Sequence, residues 1–465
     1  MKRITPLIAL CLMAPVPGVL HAESFRTIDT NKILLAAAPT PTADYDSIGD
    51  MPMGQSDTNA VSLLPEETGF GDDNLFGVEG GYFHPYISLE ESFTDNLFNV
   101  DSNTTSNILT TLSPGIWFTL PRKQIIPITI TPHNSAPGGL ALQLDDYDSA
   151  DKFQLYALAG TDLLFYSEDS DLNTADVTLE GLGRYNMASG LSLQILDRYA
   201  LGHDEFSVDG ATDSNQREFQ SNIAMATADW DITEKLRIKS DFSHFYLDYD
   251  ESFNDFLNRE DNSLDLYAFF NYSPKSSLFV EYKYTDVEYD TATDTDNKQN
   301  FYYGGVTWLT TEKLSLLFKA GLQQKEYKKQ GAGYIDSDNL ALDMQILYRF
   351  TVKTEATLDM YRLVEESDSS VASEKEVFGV RFKYSQEFTE KITGKFAFFY
   401  ENADYNQLIT QDRSDDTFEF KPSVQYLFQD WLMGELGYSY ETDDSSDDFF
   451  DYNTNTVFFS LNFSL

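Results

Sequence analysis

Cysteine is all but missing from these 465 residues: Cys11 is the single one, and it lies inside an N-terminal apolar stretch. Beyond that stretch there can be no disulfide framework, no thiolate metal site and no cysteine nucleophile. Basic residues are also scarce, 32 against 76 acidic, for a net charge of −44. Phosphate contact needs basic surface, so nucleic acid is excluded as a partner. Only five histidines occur, His21, His84, His133, His203 and His244, and none forms H-E-x-x-H or a metal-spaced pair. Neither G-x-S-x-G, a P-loop nor G-x-G-x-x-G is present. No catalytic residue, metal site or cofactor site is therefore nominated, and the chain is not read as an enzyme. No run of 18 apolar residues follows the N-terminus, which excludes helical membrane spans.

What is present points elsewhere. Lys2 and Arg3 precede an apolar stretch from Ile4 to Leu20, and His21-Ala22 has the form of a cleavage site; residues 1–22 read as a secretory signal peptide. Residues 23–83 are rich in Ala, Pro, Thr, Gly, Asp and Ser without a period of 2 or 3.6, as expected of a mostly disordered periplasmic extension.

From Pro85 onward the apolar period is 2. Leu314, Leu316, Phe318, Ala320 and Leu322 alternate with Ser315, Lys319, Gln323 and Lys325. Phe378, Val380, Phe382 and Tyr384 alternate with Gly379, Arg381 and Lys383. Side chains alternate across a strand, so each segment has one apolar and one polar face. The segments are long enough to cross a bilayer at a tilt. Their connectors alternate between short turns (Ala188-Ser189-Gly190, Gln429-Asp430) and long acidic loops (203–215, 249–262, 286–297, 364–375, 441–452). Aromatics make up 14% of the chain, and Tyr and Phe gather at the ends of the apolar faces, as interfacial girdles require. The fold class is all-β: a transmembrane antiparallel up-and-down β-barrel of about 18 strands, with 16 as the alternative, over 84–465. Residues 121–151 do not alternate and read as a periplasmic insertion. A barrel of this size encloses a water-filled lumen, and no constriction loop stands out. Val457, Phe459, Leu461, Phe463 and Leu465 give the last strand a lipid face, in the manner of the signal read by barrel-assembly machinery.

Turning the apolar faces to lipid turns Arg184, Arg198, Arg237, Lys239, Lys283, Lys319, Arg381, Lys383, Lys395 and Lys421 inward, together with Glu180, Asp265, Glu281, Asp359, Glu419 and Glu435. These are the candidate pore-lining residues: a mixed, locally basic wall below an acidic vestibule. Charge pairs between strands would brace such a wall, and rings of charge would select what passes. Inward Tyr267, Phe269, Phe279, Tyr361 and Phe399 could stack on sugar rings or simply fill the wall. Acidic groups such as Asp290/Asp294/Asp296 and Asp443/Asp444/Asp447/Asp448 match no calcium loop and read as solvated loops.

Ser88-Leu-Glu-Glu-Ser-Phe-Thr-Asp-Asn-Leu-Phe-Asn-Val100 followed by Leu112-Ser-Pro-Gly-Ile-Trp-Phe118 resembles the Putative beta-barrel porin 2 family, as do the later turns Tyr272-Ser-Pro-Lys-Ser276, Thr311-Glu-Lys-Leu314 and Asp451-Tyr-Asn-Thr-Asn455. The resemblance covers roughly 84–465. It implies an outer-membrane component of exopolysaccharide synthesis or secretion in a Gram-negative bacterium. The implied partners are outer-membrane lipid and lipopolysaccharide, barrel-assembly machinery, periplasmic polysaccharide-export proteins and the polysaccharide itself. A general diffusion porin for small hydrophilic solutes and a structural or adhesive barrel remain alternatives.

Overall fold

The computed structural model describes residues 82–120 and 152–464, apart from 205, 207–216, 274, 292–294, 312, 330–333 and 409–412. The expected signal peptide, the extension 23–83 up to residue 81 and the insertion 121–151 lie outside the described residues.

Eighteen strands run in chain order: β1 (Phe83–Thr94), β2 (Asn107–Leu120), β3 (Phe153–Tyr166), β4 (Thr174–Asn186), β5 (Leu191–His203), β6 (Glu218–Thr233), β7 (Leu236–Tyr249), β8 (Arg259–Ser273), β9 (Ser276–Tyr289), β10 (Asn297–Thr311), β11 (Leu314–Tyr327), β12 (Ser337–Thr351), β13 (Thr354–Glu366), β14 (Ala372–Thr389), β15 (Ile392–Gln407), β16 (Arg413–Gln429), β17 (Leu432–Ser445) and β18 (Tyr452–Ser464). Each pairs antiparallel with its sequence neighbours, and β1 also pairs with β18, Tyr86 opposite Ser464 through Thr94 opposite Thr456. The sheet is therefore a closed barrel with no free edge around its girth, the arrangement by which strands satisfy every backbone group in lipid.

Burial alternates as the sequence does. On β11, Ser315, Leu317, Lys319, Gln323 and Lys325 are buried while Leu322, between them, is exposed on the outer face. Large apolar side chains cover the outside, among them Ile195, Phe242, Val280, Leu436 and Phe459. Rings near the short-turn end meet across strands, as in Tyr384–Phe396 at 5.4 Å and Phe396–Phe420 at 6.2 Å, forming one aromatic girdle.

The short turns share a local device. The Thr233 hydroxyl accepts from the N–H groups of Lys235 (3.2 Å) and Leu236 (3.0 Å). Thr389 does the same for Lys391 (3.2 Å) and Ile392 (3.0 Å). Thr351 takes the N–H of Lys353 (3.1 Å), and Ser273 that of Lys275 (3.3 Å). A hydroxyl two residues ahead of a Lys satisfies the turn's amides and fixes the hairpin register.

Candidate functional site

The inward face of the barrel is its polar face. Glu180 and Arg198 stand opposite each other on β4 and β5, their side chains 3.1 Å apart. Arg237 holds Asp229 with two nitrogens, at 2.8 and 2.6 Å, and lies over the Phe269 ring at 5.1 Å. Lys239 lies 3.7 Å from Asp241. Lys319 donates to both Glu281 oxygens at 3.1 Å, lies 3.9 Å from Asp343 and sits 4.6 Å from the centre of the Tyr303 ring. Asp265 faces Lys283 in the β8–β9 register and accepts from the Tyr267 hydroxyl at 2.8 Å. Lys283 lies over Phe301 at 5.3 Å. Arg381, opposite Asp359, is sandwiched between the rings of Tyr361 (6.0 Å) and Phe399 (5.5 Å). Arg184 donates to Ser192 at 3.1 Å. Lys383 and Lys421 both face Ala397 from β14 and β16, and Lys395 lies between Ser385 and Ser423. Lys421 lies over Phe458 at 5.3 Å. Glu419 accepts from Ser439 at 2.7 Å, and Glu435 from Gln425 at 3.0 Å. Phe279 stacks in one cluster with Tyr267 and Phe269. Of the sixteen nominated charges, Glu180, Arg198, Lys239, Asp265, Glu281, Lys319, Asp359, Arg381, Lys383 and Glu419 are buried and the rest half-buried, and many of them meet a carboxylate or a ring on a neighbouring strand.

His244 faces outward and its Nδ1 lies 3.1 Å from Asn262 Oδ1. The acidic groups are used as hydrogen-bond acceptors: Asp296 caps the Tyr289 N–H at 2.8 Å and Asp443 accepts from Thr417 at 2.7 Å. Among the described residues no three His, Cys, Asp or Glu side chains are placed to hold a metal ion.

One hairpin tip enters the lumen, where the sequence singled out no constriction loop among its long loops. Around the tip of the β13–β14 hairpin, both faces are buried: Val364, Glu365, Glu366, Ala372, Ser373, Glu374 and Lys375 are each 6% exposed or less. Only a strand end with protein on both sides shows that pattern. The tip has turned into the long-loop end of the lumen. Glu366 is its anchor. Its carboxylate accepts from Tyr289 Oη (2.8 Å), Asn297 Nδ2 (3.1 Å) and Gln299 Nε2 (2.7 Å), and Lys325 Nζ lies 3.0 Å away. These four partners stand on β9, β10 and β11, so the tip passes over the lumen face of β12. Glu374 accepts from Tyr327 Oη (3.1 Å) and Asn406 Nδ2 (2.9 Å). Between the two strands, Lys375 lies 3.6 Å from Glu365 and 3.4 Å from Asp368. Arg217, at the start of the β5–β6 loop's return, donates to the Asp368 carbonyl at 3.3 Å from the other side of the mouth. Burial would raise the Asp368 carboxyl, but Lys375, then Arg413 and Arg217, hold it below its ordinary value. The sequence carries a trace of this: alternation fails at Leu363-Val364-Glu365-Glu366, where two apolar and then two acidic residues stand side by side.

The profile of the Putative beta-barrel porin 2 family matches residues 151–465. A search among curated proteins found no match. Among solved structures, Pseudomonas aeruginosa OccK5 (OpdH) is similar at 12% identity and a TM-score of 0.42, covering 83% of this chain and 98% of its own. Acinetobacter baumannii OccAB4 gives 11% identity and a TM-score of 0.43 over 83% of this chain and 98% of its own. A bacterial polysaccharide outer membrane secretin gives 9% identity and a TM-score of 0.32 over 82% of this chain and 98% of its own.

Proposed function

The chain belongs to the Putative beta-barrel porin 2 family, and from that premise we propose that this porin-like channel of the outer membrane passes an exopolysaccharide to the cell surface of a Gram-negative bacterium. The observation that carries the reading is the make-up of the inward face. Rings and charges alternate there, as in Tyr361–Arg381–Phe399 and Tyr303–Lys319–Glu281. Sugar rings present apolar faces that stack on aromatics and hydroxyls that bond charged neighbours. Transport at this layer is passive, and residues 23–83 and 121–151 are the segments that would meet periplasmic export partners. A second reading, a diffusion porin for small hydrophilic solutes, is favoured by the inturned β13–β14 tip, because an obstruction at the mouth sets a size limit.

Planar-bilayer recordings of the refolded full chain, with and without residues 23–83, separate the two. Long blockades by an acidic or neutral oligosaccharide added from the periplasmic side would support polymer passage. Rapid permeation of monosaccharides with no binding of longer chains would overturn it in favour of the diffusion porin.

A further inference from the structure

The β12–β13 ladder stops at Leu342 opposite Arg362. On its other edge β12 stays paired with β11 up to Ser337, and β13 stays paired with β14 up to Glu366. The wall is therefore split at its extracellular end along this seam, bordered on each side by a backbone edge; a shorter gap of the same kind follows Val177 opposite Leu201 between β4 and β5. Continuing the register by antiparallel counting would set Ala341 opposite Leu363, Leu340 opposite Val364 and Asn339 opposite Glu365. Instead, the Gln323 amide stands in for the missing partner: its Nε2 donates to the Val364 carbonyl at 2.8 Å, and the Val364 N–H donates to its Oε1 at 2.8 Å. A side chain two strands away thus imitates one ladder pair.

We propose that this seam is a gate with two pairings. In one, seen here, the tip lies inward, held by Gln323, Glu366 and Arg217. In the other, β13 zips onto β12 in the continued register and withdraws Glu366 and Asp368 from the mouth. The side chains are already in phase for the second pairing. Leu340, now 49% exposed, and Val364 would both fall on the outer face, apolar against apolar, while Ala341 and Leu363 would both face inward. The inward pairing satisfies β13 at Val364 through the Gln323 amide and leaves the β12 edge from Ser337 to Ala341 unpaired with β13, whereas the zipped pairing joins the two edges through backbone. What holds the inward state is mostly polar and charged, so it can exchange for ladder bonds without exposing a large apolar core. The gate rests on the channel reading but not on the identity of the polymer.

The test is an Ala341→Cys/Leu363→Cys pair in a Cys11→Ser full-length background, refolded and checked by its heat-modifiable gel mobility. Small-ion current in KCl is recorded oxidised and then reduced. The disulfide is expected to form under mild oxidation and to raise the single-channel conductance, with reduction restoring the starting level. A folded barrel whose pair does not oxidise, or oxidises without changing conductance, overturns the gate. If the cysteine pair prevents folding, Glu366→Ala decides instead: it is expected to lengthen occupancy of the larger conductance level about tenfold, and unchanged occupancy overturns the proposal. Because the readout is KCl current, absence of polysaccharide binding would leave the gate result standing, and a failed gate would leave polymer passage to its own test.

Discussion

Lys319 shows what a single inward charge does here. It is 2% exposed and neutralises Glu281 and Asp343 together. Replacing it by Met keeps much of the volume but leaves two buried carboxylates with no counter-charge at that point. Removing one partner of a buried pair costs roughly 3–5 kcal/mol, so Lys319→Met is expected to lower the urea midpoint of the refolded barrel strongly, followed by gel mobility. An unchanged midpoint would mean that water reaches the pair. Asp368 is the contrasting case, a loop carboxylate used to hold a moving part. Its folded value lies below the ordinary one because of Lys375, Arg413 and Arg217. The stabilisation it gives the inturned tip is complete above the unfolded carboxylate value, near 4, and is lost as pH falls through the depressed folded value. Channel noise and mean conductance should therefore be flat from neutral pH to about 4 and rise below it; Asp368→Asn should show the raised level at neutral pH.

At the scale of the element, inward aromatics are seated on glycines directly across the ladder. Tyr361 lies opposite Gly379 and Phe279 opposite Gly305, and in both pairs a Cβ on the glycine would run into the ring. The ring lies flat over the neighbouring strand because nothing stands up from it, the device known as aromatic rescue of strand glycines. Gly379→Val improves strand propensity yet must displace Tyr361, whose hydroxyl donates to Glu401 and whose ring flanks Arg381. Overpacking of this kind costs about 1–3 kcal/mol, so the variant should unfold at lower urea than the wild type; equal stability would show that the ring can move aside. Strands were legible in the sequence because lipid on one side and water or protein on the other impose a strict period of 2. The strands expected at 191–203 and 354–366 coincide with β5 and β13. The nominated charges follow from the same period, being the complement of an apolar face. The pairing of those charges was not, because Lys319 meets Glu281 across β10, and contacts between non-adjacent strands follow from curvature rather than from sequence spacing. Nor was the inturned tip: Leu363-Val364-Glu365-Glu366 breaks the alternation, but a break alone does not distinguish a loop from a strand end with protein on both faces.

For the molecule as a whole the decisive quantity is the balance of 76 acidic against 32 basic residues. The inward wall uses many of its basic groups against carboxylates, as in Arg198–Glu180 and Arg237–Asp229. Their fields largely cancel at a distance. The strand ends and loops beyond the wall are not balanced in this way: from Glu441 near the end of β17 to Asp451 just before β18 the chain carries six acidic residues and no basic one. An ion approaching from outside therefore meets net negative potential before it meets the wall. Such a potential concentrates cations at the mouth by several kT's worth of field, but only within a Debye length, about 10 Å at 0.1 M salt and about 3 Å at 1 M. The channel should accordingly prefer potassium over chloride by about threefold or more near 0.1 M KCl, read from the reversal potential in a salt gradient, and lose most of that preference near 1 M. The opposite sign, chloride over potassium surviving at high salt, would place selectivity at Arg381, Lys383, Lys395 and Lys421, where four basic residues share one side of the wall. Close-range charge in the wall is screened far less than charge at the mouth, so the salt dependence, more than the sign at any one concentration, identifies which region filters.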